Sequence, residues 1–95
     1  MQLKPQERQF IKKVLQEFLP KAEYRVFGSR LHGTAKTYSD IDIGVVMTEP
    51  IPLATLALLE EKLSESDLPY KVDLVDYQRI SESFRAIIDE KYELL

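Results

Sequence analysis

Apolar residues recur along this chain with two periods, and the switches between them mark out its elements. Phe10, Ile11, Val14, Leu15, Phe18 and Leu19 have the spacing of one face of an amphipathic helix. Pro5 suits its first turn and Pro20 stops it. Tyr24-Arg25-Val26-Phe27 is a short β-prone run ended by Gly28. Ser29 then reads as the cap of a short helix to about Ala35, and Thr37 to Ser39 as loop. From Asp40 to Met47 the period is two: Ile41, Ile43, Val45 and Met47 belong on a core face, and Asp40, Asp42 and Gly44 on the other. Pro50 and Pro52 mark a turn. A helix is expected over roughly 53–65, with Leu53, Leu56, Ala57, Leu59 and Leu63 inward. Pro69 breaks the chain again. Residues 70–76 read as a third strand, and Ile80, Phe84, Ile87, Ile88 and Tyr92 as a last helical stripe capped by Ser81. The alternation predicts an α/β (α+β) fold, helices packed on a small mixed three-stranded sheet.

Length and composition narrow the class. With 95 residues, 44% apolar and 31% charged, the chain is expected to form one domain over 1–95. It has no run of 18 uncharged apolar residues and no signal-like start, so no membrane role is expected. The absence of Cys excludes thiolate metal sites and fits a reducing cytoplasm. Net charge is −3, which argues against nucleic acid as a partner. The charge is uneven: residues 1–36 carry eight Lys/Arg against three Glu, and residues 37–95 five against thirteen Asp/Glu.

Asp40 and Asp42 are the anomaly. Alternation sets both carboxylates on one strand face, roughly 6.5–7 Å apart, where like charges repel and a strand gains nothing from Asp. A divalent cation resolves the conflict, and Mg²⁺ is the hard ion that favours carboxylate oxygen and shares its shell with substrate phosphate. Taken alone, such a pair is more often a solvent-facing edge. Gly28-Ser29 stands where a strand passes into a helix, a place that lets phosphate approach the backbone closely. Arg30 and Lys36 add positive charge nearby. Alone, this too is an ordinary turn and cap. Gly28, Ser29, Asp40 and Asp42 at these fixed offsets, however, coincide by chance with a probability on the order of 10⁻³, and Asp73 follows on the next strand.

The segment from Gly28-Ser29 to Asp40-Ile41-Asp42 resembles the signature of the DNA polymerase beta-like nucleotidyltransferases. The chain's brevity makes it most similar to the minimal nucleotidyltransferase (MNT) branch, the antitoxins of HEPN/MNT toxin–antitoxin pairs. The resemblance implies the polymerase beta-like fold. It implies that Gly28, Ser29 and Arg30 bind the nucleotide triphosphate, and that Asp40, Asp42 and Asp73 are the catalytic carboxylates holding Mg²⁺, two ions being expected. Asp76 is the alternative third acid. The implied reaction moves AMP from ATP to a hydroxyl, a tyrosine's, of a HEPN toxin partner. With no residues left for an acceptor-binding domain, the acceptor is expected from another chain, in a hetero- or homo-oligomer. Two other readings stay open: an antitoxin that only masks its partner, and a transferase acting on a small molecule or an RNA end. His32, the sole histidine, and the tyrosines read as packing or surface groups, with Tyr38 a candidate contact to the base.

Overall fold

The computed structural model describes residues 3–28 and 40–95. Helix α1 spans Pro5–Phe18. It starts at Pro5, whose missing N–H costs nothing there, while Glu7 Oε1 accepts a bond from Lys4 N at 3.2 Å. Ile11, Val14 and Leu15 are buried on its inner face. Phe10, expected inward, is 39% exposed, because it lies at the margin of that stripe. Strand β1 is Glu23–Phe27 and β2 is Ile41–Val46. Helix α2 is Leu53–Ser64, β3 is Val72–Asp76, α3 is Glu82–Glu90 and β4 is Glu93–Leu94.

The sheet has four strands, in the order β3-β2-β1-β4, rather than the three expected. The fourth was hidden because two residues are too few to show alternation. The last helical stripe also ends early. After Glu90 the chain is extended at Lys91, and Leu95 N donates to Tyr24 O at 3.0 Å, closing the free edge of β1. Strand β1 is antiparallel to β2 and β4, whereas β2 and β3 are parallel and joined through α2. On one sheet face, α1 and α2 pack against Val26, Ile41, Ile43, Val45 and Val72. Helix α3 covers the other face. A Cβ on Gly44 would lie 3.6 Å from Ile88, and Phe27 meets Phe84 edge-on with ring centroids 6.0 Å apart. Ser81 caps α3, its hydroxyl accepting from Phe84 N at 3.2 Å, as the sequence predicts.

Helices α2 and α3 bury narrower stripes than expected. In α2 only Leu59 and Leu63 are fully inside, while Leu53 is 65% exposed and Ala57 is also exposed. Ile51, between the two turn prolines, fills the core in place of Leu53 and is fully buried. In α3, Ile88 is buried and Ile87 faces water. The Pro50–Pro52 turn is held by a buried acid. Asp76 accepts from Ile51 N at 2.8 Å, Gln78 N at 3.0 Å and Arg79 Nε at 3.0 Å, and Arg79 Nη2 donates to Ile51 O at 2.9 Å. Asp76→Ala would strand a buried N–H and unpair Arg79. Chemical denaturation should register a loss of about 2–4 kcal/mol; a loss under about 1 kcal/mol would show that the clamp is dispensable.

Candidate active site

The pleat decides which side chains meet. Val26, Ile41 and Ile43 face the core, so their neighbours Phe27, Asp42 and Gly44 face the side covered by α3. There Asp42 sits opposite Phe27 on β1 and opposite Asp73 on β3. Strands in a sheet are about 4.8 Å apart, so the parallel register brings two carboxylates together that lie 31 positions apart in the chain. Asp40 precedes β2 by one residue and is exposed at the rim. All three acids stand at one end of the sheet, where β2 and β3 begin and antiparallel β1 ends.

Gly28 closes that end from above. It has φ +85, a region that L side chains rarely adopt, and a Cβ there would come 2.5 Å from Asp42 Oδ2. Both facts demand glycine: the chain must turn off β1 in a left-handed conformation, and it does so directly over a carboxylate. Ser29, Arg30, His32, Lys36 and Tyr38, with the short helix expected over 29–35, lie outside the described residues.

Electrostatics single out Asp42. Burial pushes its carboxyl above the ordinary carboxylate range, and the charges of Asp73 and Asp40 push it further. The alternative acid, Asp76, is placed differently: its side chain is 4% exposed and both oxygens are engaged in the turn clamp. Asp73 keeps an accessible carboxylate, 37% exposed, with Lys71 Nζ 3.3 Å from its Oδ1. Lys71 went unassigned in the sequence reading, although strand alternation alone sets it on the same face as Asp73. A cleft of about 920 Å³ between α2 and β3 reaches this point, lined in part by Lys71, Asp73, Glu60 and Glu61.

The donors suit a hard divalent ion. They are carboxylate oxygens, and Asp73 and Asp40 stand close enough to raise the cost of ionising Asp42. Among the described residues no three His, Cys, Asp or Glu side chains are gathered into a ready-made metal cage. An open set of this kind fits Mg²⁺, which takes one or two protein carboxylates and completes its octahedron with water and substrate oxygens.

Comparisons with known proteins point the same way. The profile of the family described as "Nucleotidyltransferase domain" matches residues 7–95. A Haemophilus influenzae (strain Rd) protein named probable protein adenylyltransferase MntA is 40% identical over 95 residues, covering 100% of this chain and 83% of its own. A crystal structure of a toxin–antitoxin with AMP-PNP superimposes with a TM-score of 0.78 at 31% identity, over 90% of this chain and 69% of that one. The complex of a tri-AMPylated Shewanella oneidensis HEPN toxin with MNT antitoxin gives 0.70 at 30% identity, over 90% and 66%. Among the described residues no helix is long and apolar enough to cross a membrane.

Two outcomes follow from this geometry. Asp42 binds its proton more tightly in the folded chain than in the unfolded one. Its ionisation therefore costs no stability at acid pH, where it is protonated in both states, and costs progressively more as pH rises through its raised value. Asp42→Asn should raise the melting temperature of metal-free protein by roughly 2–5 °C at neutral pH, and the gain should vanish below about pH 4. A variant that melts no higher than wild type at neutral pH would contradict the crowding. Gly28→Ala should cost about 1–3 kcal/mol in urea denaturation. Repeated in an Asp42→Ala background it should cost less, because the clash is gone and only the backbone strain remains.

Proposed function

Because the chain belongs to the nucleotidyltransferase domain family, we propose that it transfers AMP from ATP to a tyrosine hydroxyl of a HEPN toxin and acts as that toxin's antitoxin. One observation carries the reading: a half-buried Asp42, crowded by Asp73 and Asp40, beneath a glycine that leaves just enough room for it. A fold gains nothing from such crowding unless the charges serve a ligand. The kinship with a protein adenylyltransferase and with antitoxins crystallised beside an ATP analogue or an AMPylated toxin supplies the substrate and acceptor.

The chemistry assigns a task to each residue. The acceptor oxygen attacks the α-phosphorus of ATP; the P–O bond to the β-phosphate breaks and pyrophosphate leaves. Asp73, partly exposed, accepts the proton of the attacking hydroxyl in this reading. Gly28, with Ser29 and Arg30 directly after it, holds the β- and γ-phosphates through backbone N–H groups and a guanidinium. Asp40, Asp42 and Asp73 are the residues that hold Mg²⁺, two ions in this reading, which when bound neutralise charge on the transferring phosphate. The protein's own part is positioning, with no covalent intermediate required. Residues 1–95 act as one minimal domain in the cytoplasm, and the acceptor comes from the partner chain.

Incubation with labelled ATP, Mg²⁺ and a HEPN partner tests this directly. Wild type should place label on the partner's tyrosine. Asp42→Asn and Asp73→Asn should each lower the rate by at least about 10³-fold while leaving the complex intact in gel filtration. A tight complex that never acquires label would favour masking, and Asp42→Asn labelling at the wild-type rate would refute the assignment.

A further inference from the structure

Among the described residues, Lys71 is the one cation paired with an acid at this end of the sheet. It stands two residues before Asp73 and on the same strand face. Its Nζ is 3.3 Å from Asp73 Oδ1.

The pair has a distinctive build. Elsewhere, Asp76 meets Arg79 with its carboxylate shielded and bonded to backbone, a contact the fold cannot release cheaply. Lys71 is the opposite case. Its side chain is 71% exposed, it is a compact charge on a flexible stem, and an ion pair so open to water contributes little to stability. A contact that is cheap to break and aimed at a metal-binding carboxylate is suited to displacement.

We propose that Lys71 is a resident counter-ion for the carboxylates, occupying the cation's place at Asp73 in the nucleotide-free protein and yielding it when the divalent ion arrives. The proposal rests on the assignment of Asp40, Asp42 and Asp73 to metal. Lys71 then acts through Asp73 as a positioning residue. It holds that carboxylate oriented, and it weakens the empty site's hold on metal that comes without nucleotide. The nucleotide's own phosphates offset that competition when they bring the ion in.

Electron paramagnetic resonance titration of Mn²⁺ alone, on the whole chain without nucleotide, measures this apart from transfer. A nearby positive charge opposes a divalent cation at a few ångströms even in water. Lys71→Gln should therefore bind Mn²⁺ about 3- to 10-fold tighter than wild type, with the difference shrinking as NaCl is raised to 0.5 M. Lys71→Arg, which keeps the charge, should stay within twofold of wild type. In an Asp73→Asn background the effect of Lys71→Gln should fall by at least half. Wild-type binding with an unchanged or weaker affinity in Lys71→Gln overturns this inference and leaves the metal site standing. No Mn²⁺ binding by wild type at millimolar concentration overturns both.

Discussion

Parallel pairing of β2 with β3 sets Asp42 directly beside Asp73, so the sheet's backbone hydrogen bonds hold together two like charges that would separate if free. The ladder supplies the force, since the strands cannot shift by one residue without turning Ile41, Ile43 and Val45 out of the core. The hydrophobic face thereby enforces the register of the acidic face. Asp42 bears the result: burial and two neighbouring charges make its ionisation costly.

The remaining architecture keeps that register in place. On one side, α1 and α2 seal the apolar face. On the other, α3 approaches closely enough for Ile88 to lie over Gly44, so that face is covered beyond Asp42. The C-terminal strand β4 closes the far edge of β1. Arg25 ties this region together, donating to Asp89 and lying over the rings of Tyr77 and Tyr92. The Asp76–Arg79 clamp fixes the turn that feeds α2, the connection that makes the parallel pairing possible.

Acids serve opposite purposes within one strand. Asp73 and Asp76 are three residues apart on β3 and therefore point to opposite faces. Asp76 is surrounded by donors and stabilises the fold. Asp73 is left partly exposed beside another carboxylate and an exposed lysine. The fold's clamp and the proposed metal site thus lie on the two sides of a single five-residue strand.

Much of this was legible in the residues. Period-two alternation put Asp42 and Gly44 on one face and Ile41, Ile43 and Val45 on the other, because the geometry of a strand leaves no third choice. Helix starts at Pro5 and Ser81 were equally local, since they depend on a missing N–H and a nearby hydroxyl. The Gly28-Ser29 and Asp40-x-Asp42 spacing pointed to the family for the same reason: close chain neighbours have few ways to be arranged. Long-range pairing decided the rest. Nothing local announced that Leu94 and Leu95 would close the edge of β1, or that Ile51 would displace Leu53 from the core. The choice between Asp73 and Asp76 also needed the fold. Alternation separated their faces, but only the packing of the Pro50–Pro52 turn onto Asp76 and the in-register meeting of β2 with β3 determined which carboxylate was engaged and which remained open.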